Sequence, residues 1–153
     1  MGISKRNARS SDAALLLKWR NSPSVREFSQ NSEAIGIEDH LAWLLERLAR
    51  IRFEPFFIFE LGHESVGMSR LDFEVESADK FAISILVDPE QRSKGTGTAI
   101  LNMTCEIFFN LHPSYTLVAT VHTSNYISQK LFLRAGFQLQ NTLGEFLYFE
   151  KTV

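Results

Sequence analysis

Two glycines one residue apart, Gly95 and Gly97, lie between a strand-like segment and a helix-like segment. A helix N-terminus carries unpaired N–H groups and a partial positive charge, and glycine lets an anion approach the backbone closely. Arg92 and Lys94 add positive charge to the same segment. The full phosphate-loop patterns G-x-x-x-x-G-K-[ST] and G-x-G-x-x-G are both absent. By itself the segment is therefore either a tight turn or an anion-binding loop.

Two histidines are candidate site residues, His122 for proton transfer and His40 for the lining of a pocket. His122 follows an apolar strand-like run and would lie at a strand end, where it would either border a cleft or face solvent. His40 lies beside the apolar positions of a helix, where it would either line a pocket or be an ordinary half-buried histidine. The histidine, cysteine and acidic residues show no spacing typical of a metal site.

Length and composition limit the class of protein. The chain has 153 residues, 44% of them hydrophobic, which predicts a single globular domain over 1–153. A net charge of −2 argues against a nucleic-acid partner. The single cysteine, Cys105, is expected in the core and allows no intrachain disulfide. Since neither a signal peptide nor a membrane-spanning run is evident, a cytoplasmic protein without membrane contact is expected; a homodimer stays open.

The hydrophobic periodicity predicts a strand, helices, three strands, a helix, a strand, a helix and two strands. This order predicts an α/β (α+β) fold, with one mixed sheet of about seven strands and about four helices packed on it. The expected segments are 2–7, 13–21, 22–28, 38–51, 55–61, 66–74, 80–87, 97–111, 115–121, 124–136, 137–143 and 146–153.

The helix over 38–51 has the clearest amphipathic pattern. Its leucines are expected to form the buried stripe, with the charged side chains on the other faces. The expected stripe is Leu41, Leu44, Leu45 and Leu48, and the charged residues placed elsewhere are Glu38, Glu46, Arg47 and Arg50.

Two motifs together resemble those of the GNAT acetyltransferase superfamily. Arg92-x-x-Gly95-x-Gly97 is similar to the family's R/Q-x-x-G-x-G/A loop, which also follows a strand and opens a long helix. The stretch "SNYISQKLFLRAGF" resembles the second family motif, in which Asn125 precedes a helix that ends at Gly136 and Phe137. The resemblance extends over nearly the whole chain. It implies a GNAT fold, in which the fourth and fifth strands splay apart at their ends.

The resemblance also implies acetyl-CoA as the acetyl donor. The amides from Ser93 to Thr98 would surround the pyrophosphate, and the pantetheine arm would pair with the exposed backbone of the fourth strand. The residues implied to contact acetyl-CoA are Ile85, Leu86, Val87, Arg92, Ser93, Lys94, Gly95, Thr96, Gly97, Thr98, Asn125 and Phe132.

Acetyl transfer to an amine needs a route for the proton that the amine loses and a proton or a stabilising group for the departing thiolate. Many members of the family use a tyrosine of the second motif as the acid, but this chain has Phe132 at the matching position. Tyr126 is the nearby candidate acid, with water as the alternative. The candidate bases are His122, and Ser84 acting through a water molecule.

The N-terminal third resembles a GNAT subgroup with a W-R-N-x-x-x-V-R stretch followed by an H-x-x-W helix. The subgroup contains ribosomal-protein alanine N-acetyltransferases and the UDP-aminosugar N-acetyltransferases of pseudaminic acid synthesis. We favour a UDP-4-amino sugar as the acceptor, because Arg20 and Arg26 could pair with its diphosphate. Asn21 and His40 would complete the acceptor pocket. A protein N-terminus is the alternative acceptor, and a non-catalytic acyl-CoA-binding module is the alternative of another class.

Overall fold

The computed structural model describes residues 2–92 and 94–153. Its seven strands and five α-helices follow one another in the predicted order. Two short 3₁₀ segments, Ser10–Asp12 and Pro89–Gln91, join them. In chain order the elements are β1 (Ile3–Asn7), α1 (Ala13–Asn21), α2 (Pro23–Arg26), α3 (Ile37–Leu48), β2 (Phe56–Leu61), β3 (Glu64–Phe73), β4 (Lys80–Val87), α4 (Thr96–Leu111), β5 (Thr116–His122), α5 (Tyr126–Arg134), β6 (Gln138–Leu143) and β7 (Phe146–Lys151).

All seven strands form one mixed sheet in the order β1-β2-β3-β4-β5-β7-β6. The β4–β5 pair is parallel and every other pair is antiparallel. The parallel pairing extends only from Lys80 opposite Thr116 to Ala82 opposite Val118. Both strands continue for several residues beyond this point, so they diverge toward their C-terminal ends. The predicted fold class and the predicted splay are confirmed.

Helices cover both faces of the sheet because residues of a strand alternate between its faces. On one face, Phe81 and Ile83 of β4 pack against Leu101 and Phe108 of α4. On the other face, α1 and α3 contribute Leu16, Trp19 and Leu44 to a cluster with Phe56, Ile58 and Met68. The second set of helices packs on β2 and β3, in the β1–β4 half of the sheet.

The buried face of α3 differs from the predicted leucine stripe. His40, Leu44 and Arg47 are buried, whereas Leu41 is 38% exposed and Leu45 is 52% exposed. The reason lies in Arg47, whose guanidinium donates to Asp72 and to three backbone carbonyls. The distances are 2.7 Å to Asp72 Oδ1, 2.6 Å to Glu54 O, 3.2 Å to Pro55 O and 2.9 Å to Leu71 O. This set of acceptors satisfies the buried charge, so Arg47 takes a place that the sequence pattern assigned to a leucine.

Candidate active site

The divergence of β4 from β5 leaves backbone groups of β4 without a strand partner. The Asp88 N–H donates to Val66 O of β3 at 2.9 Å, and Val87 lies opposite Gly67 in the same register. Because backbone groups alternate in direction along a strand, those of Ile85 and Val87 point toward the gap beside β5. The backbone groups of Leu86, in contrast, face Met68 in β3. The gap is therefore lined by donors and acceptors that a ligand with amide groups can pair with.

The loop between β4 and α4 brings free N–H groups to the same end of the sheet. The first intrahelical bond of α4 runs from Ala99 N to Gly95 O at 3.1 Å. The N–H groups of Thr96, Gly97 and Thr98 therefore precede the helical hydrogen-bond pattern and have no acceptor within the helix. Arg92 and Lys94 are exposed beside them. The predicted contact at Ser93 lies outside the described residues.

The two glycines of this loop are required for different reasons. Gly95 has a φ of 77°, a left-handed conformation that suits glycine, and open space surrounds its Cα. Gly97 is helical, and a Cβ built there would lie 3.4 Å from Leu131 Cδ2 and 3.5 Å from Val87 Cγ2. A methyl group would fit at Gly97, but a longer side chain would extend between the end of β4 and α5. Gly95 thus allows the turn, and Gly97 leaves the space between the end of β4 and α5 unfilled.

The second predicted motif forms the start and the middle of α5. Asn125 caps the helix, and its Oδ1 accepts from Ser128 N at 3.2 Å. Phe132 is 5% exposed and packs edge to face against Phe137 at 5.0 Å between ring centroids. Tyr126 is the first residue of the helix and is 67% exposed. Phe132 is therefore part of the core, and Tyr126 has an exposed phenol at the start of α5; their roles toward acetyl-CoA stay predictions.

His122 lies at the C-terminal end of β5, as predicted, but both ring nitrogens have neighbours. Its Nδ1 accepts from the Ser124 N–H at 3.0 Å, which assigns the proton of the neutral ring to Nε2. Nε2 lies 3.9 Å from the Glu145 carboxylate. The nitrogen that would accept a proton is thus already hydrogen-bonded, so a role for His122 as a base would require the bond to Ser124 to break.

A cation that the sequence analysis missed lies next to Ser84. Ser84 lies opposite Arg70 of β3, on the face that packs against α1 and α3. Arg70 donates to Asp72 Oδ2 at 2.8 Å, and its guanidinium carbon lies 5.2 Å from the Trp43 ring centroid. Burial lowers the pKa of Arg70, and its Nε has no hydrogen-bond partner. A charged residue inside the apolar run of β3 was the available sequence signal.

The predicted acceptor residues of α1 and α2 bind the segment of residues 29–36 between α2 and α3. Arg20 Nη2 donates to Asn31 O at 2.6 Å, and Arg26 Nε donates to Ser32 O at 2.9 Å. Asn21 accepts from the Ile35 N–H at 2.9 Å and donates to the Ile35 carbonyl at 2.8 Å. These side chains therefore fix a loop, and both the nitrogen and the oxygen of the Asn21 amide take part. Arg20 Nη1 is buried and has no hydrogen-bond partner among the described residues.

The same N-terminal segment spans the open end of the splayed strands. Trp19 Nε1 donates to Asp88 Oδ2 at 3.1 Å, just beyond the end of β4. The Phe28 ring lies 5.5 Å from the His122 ring, at the end of β5. Residues 19–28 thus extend from one diverging strand to the other. The gap between the diverging ends of β4 and β5, which we call the cleft, is thus bordered by this arginine-bearing segment and by the glycine loop that follows β4.

His40 is 4% exposed, and its Nε2 has no hydrogen-bond partner. Burial, together with the positive charge of Arg20, lowers the pKa of His40 below its usual value. The imidazole is therefore held in its neutral form between α1 and α3. It does not reach the segment that Arg20, Asn21 and Arg26 fix through any hydrogen bond in the described part of the chain.

Protonation of His40 should destabilise the fold. Its pKa is lower in the folded state, so the unfolded chain binds more protons in the window below about pH 6.5. Stability should therefore fall as the pH drops through that window. His40→Gln, which cannot titrate, should lose less stability than the wild type between pH 7 and pH 5 in urea denaturation. Equal losses in the two proteins would show that other groups cause the pH dependence.

The comparisons with known proteins identify the class to which this fold and cleft belong. The family model for the GNAT acetyltransferase domain matches residues 6–138. The chain therefore belongs to the GNAT acetyltransferase family, and the predicted family and enzyme class, an acyl-CoA N-acyltransferase, are confirmed.

A curated relative and two solved structures are similar to this chain. The acetyltransferase PseH of Campylobacter jejuni is 24% identical over 139 residues, which cover 91% of this chain and 85% of the relative. The structure of yncA from Salmonella typhimurium with its cofactor acetyl-CoA superposes with a TM-score of 0.81 at 17% identity, covering 99% and 94% of the two chains. Ribosomal-protein-alanine N-acetyltransferase from Brucella melitensis gives a TM-score of 0.81 at 22% identity, covering 98% and 99%. The acetyl-CoA prediction agrees with the cofactor bound in the first of these structures.

Three further observations on the described residues concern the single cysteine, metal ligands and membrane spans. Cys105 is buried in the core, and burial raises the pKa of its thiol to about 11. Within residues 2–92 and 94–153, no group of three or more histidine, cysteine and acidic residues is arranged so that it could hold a metal ion. In the same ranges, no helix has the length and apolar character needed to cross a membrane.

Proposed function

We propose that this protein transfers an acetyl group from acetyl-CoA to the primary amine of a nucleotide sugar, with a UDP-4-amino sugar as the favoured acceptor. A cytoplasmic location remains a prediction that accompanies this proposal. The proposal has two parts, the acetyl donor and the amine acceptor. The first part, or donor half, rests on family membership and on the geometry of the cleft. The acceptor half rests on the charges of the N-terminal segment.

The donor half is supported by how the cleft matches the parts of acetyl-CoA. The free N–H groups of Thr96, Gly97 and Thr98 at the start of a long helix suit a pyrophosphate. The unpaired backbone of Ile85 and Val87 suits the amide groups of the pantetheine arm. With the diphosphate at the loop and the arm along β4, the thioester would lie in the gap between β4 and β5.

The observation that carries the acceptor half is a pair of neighbouring arginines without a carboxylate partner. Arg20 and Arg26 donate to the carbonyls of the consecutive residues Asn31 and Ser32, so the two cations lie close together. Burial, and then the charge of Arg26, lower the pKa of Arg20. Neither forms a salt bridge with another of the described residues. Because Arg20 Nη1 is also buried without a hydrogen-bond partner in residues 2–92 and 94–153, an anionic group of the acceptor would satisfy both the charge and the hydrogen bond.

The chemistry is a direct displacement at the thioester carbonyl. The neutral amine forms the new N–C bond, the C–S bond breaks, the nitrogen loses one proton, and the thiolate of CoA gains one. Tyr126 is our candidate for the group that protonates the thiolate, with water as the alternative. Ser84 through a water, or His122 after release from Ser124, would take the proton from the amine. The cation Arg70 near Ser84 would favour the neutral form of an amine bound there.

Arg20→Ala tests the acceptor. We expect a rise of about 10- to 100-fold in KM for a UDP-4-amino sugar, the equivalent of about 1.4–3 kcal/mol for a charge-assisted contact. The measurement is the release of CoA thiol from acetyl-CoA as the acceptor concentration is varied. Arg20→Lys keeps the charge and should recover much of the affinity. Asn21→Ala loosens the same loop without removing a charge, so it separates loss of the cation from loss of loop order.

A ribosomal-type N-terminal peptide is the second acceptor to be tested. Glu27 and Glu33 are exposed in the same segment and could hold the ammonium group of a peptide. Arg20→Ala should leave the KM for such a peptide nearly unchanged. Wild-type acetylation of peptides that begin with alanine, without acetylation of any UDP-amino sugar, would overturn the nucleotide-sugar assignment. Binding of acetyl-CoA without thiol release for any amine would favour the non-catalytic module.

A further inference from the structure

Trp19 is a buried residue of α1 that precedes Arg20 and Asn21 and contacts Asp88 at the end of β4. It is 1% exposed and belongs to the cluster that joins α1, α3 and the sheet. Its Nε1–H donates to Asp88 Oδ2 at 3.1 Å. Hydrogen bonds to a carboxylate are among the stronger ones that a neutral donor can form, and this one is shielded by the burial of the indole ring.

Asp88 holds the start of the glycine loop in place with every polar group it has. Its N–H donates to Val66 O at 2.9 Å, and its carbonyl accepts from Gln91 N at 2.8 Å. Its second carboxylate oxygen, Oδ1, accepts from Glu90 N at 2.8 Å and caps the short 3₁₀ segment that leads toward Gly95. Trp19 therefore orients the carboxylate that sets the direction of the loop where the chain leaves β4.

We infer that Trp19 is a positioning residue for acetyl-CoA, acting through Asp88 on the glycine loop. The inference rests on the donor half of the proposed function and adds a residue that does not itself contact the donor. A loop that is ordered before binding loses less conformational entropy when the pyrophosphate binds, so removal of its anchor should weaken affinity. The same end of α1 carries Arg20 and Asn21, so one helix supports the donor loop and the acceptor-side segment.

The test is the affinity for CoA, measured by calorimetry on Trp19→Phe, Asp88→Asn and the double variant. Phenylalanine keeps an apolar ring but cannot donate. Asparagine is uncharged and has an oxygen in only one of the two carboxylate positions, so the Trp19 and Glu90 donors cannot both keep their present acceptors, and whichever bond remains is no longer charge-assisted. We expect each single variant to bind CoA about 3- to 10-fold more weakly. In the Asp88→Asn background, Trp19→Phe should cost less than a further twofold, because the charge-assisted bond between the two side chains is already lost.

Trp43→Phe is the matched control. Trp43, the other tryptophan of the chain, is 39% exposed, and its ring packs against Arg70 rather than against the donor loop. Its CoA affinity should stay within twofold of the wild type. In this variant Trp19 is the only tryptophan, so its fluorescence should change when CoA is added. If Trp19 had a purely structural role, Trp19→Phe would have a lower melting temperature but an unchanged CoA affinity in its folded form. The fluorescence of Trp19 in the Trp43→Phe variant would then not change when CoA is added.

The outcomes separate the inference from the proposed function. If the wild type binds CoA and both folded single variants bind it within twofold as tightly, the inference is wrong and the proposed function stands. Additive losses in the double variant would also overturn the inference, since they would show that the two residues act independently. If the wild type does not bind CoA, the donor half of the proposed function fails, and the inference fails with it. Asp88→Asn creates no cavity, so unchanged CoA affinity in this variant would overturn the inference even if Trp19→Phe folds poorly.

Discussion

Gly97→Glu should reduce the affinity for acetyl-CoA by about 100-fold or more while the protein remains folded. The new side chain would extend from the first turn of α4 into the space between Val87 and Leu131. It would place a negative charge where the free N–H groups of the helix are expected to bind a pyrophosphate. Loss of charge-assisted contacts worth about 3 kcal/mol, to which like-charge repulsion adds, gives a change of this size. Calorimetry with acetyl-CoA measures it.

Stability should change in the opposite direction, which separates this result from misfolding. Glycine is among the poorest residues in a helix, and a carboxylate in the first turn interacts favourably with the helix dipole. The melting temperature of Gly97→Glu should therefore equal or exceed that of the wild type. Gly97→Ala is the control, since a Cβ at this position makes only close van der Waals contacts, and its affinity should change by a few-fold at most. Unchanged affinity in Gly97→Glu would mean that the loop is only a turn.

Arg47→Met should destabilise the fold by about 3–5 kcal/mol, the range for removing one member of a buried ion pair. Methionine has a similar length, but it would leave Asp72 Oδ1 and the carbonyls of Glu54, Pro55 and Leu71 without their donor. For a domain of this size, the loss corresponds to a melting temperature lower by roughly 6–20 °C. Urea denaturation and thermal melting of the ligand-free protein measure it.

Arg50→Met is the matched control, because Arg50 lies one helical turn beyond Arg47 and also pairs with a carboxylate. Its guanidinium is 46% exposed and lies 3.2 Å from Glu54 Oε1. Exposed pairs of this kind contribute about 0.2–1 kcal/mol, so the variant should remain close to the wild type. A loss at Arg50 as large as that at Arg47 would contradict the explanation from burial and would indicate that the net charge of this region matters instead.

The local periodicities of the sequence determined the elements and their order. The continuous apolar run of β5 and the helical spacing in α4 follow from the geometry of each element alone, so they can be read from the sequence without knowledge of the elements that pack against them. The spacing of Gly95, Gly97, Asn125 and Gly136 likewise predicted the family, which the family model confirmed. These features depend on residues that are near one another in the chain, or on motifs whose separation is fixed.

The orientation of elements toward one another was decided only by the tertiary structure. The pattern of α3 allows two buried faces, one through its leucines and one through His40, Leu44 and Arg47. The second face is buried because Asp72 and the carbonyls near Pro55, which come from other elements, satisfy Arg47. From its charge alone, Arg47 was expected on the surface of the protein. No pattern in the neighbouring residues indicates that acceptors from other elements will surround it.

At the candidate site, too, the sequence indicated which residues matter and the tertiary structure decided which groups they contact. The sequence pointed to Arg20, Asn21 and Arg26 as a group, but only the folded chain showed that they bind the backbone of the loop between α2 and α3. Likewise, Trp19 and Asp88 are 69 residues apart in the chain but form a hydrogen bond. The guanidinium of Arg70, in β3, packs on the ring of Trp43, in α3. Hydrogen bonds and packing between such distant residues depend on how strands and helices are brought together, because the identity of a residue states what it can bond to but not which partner lies within reach.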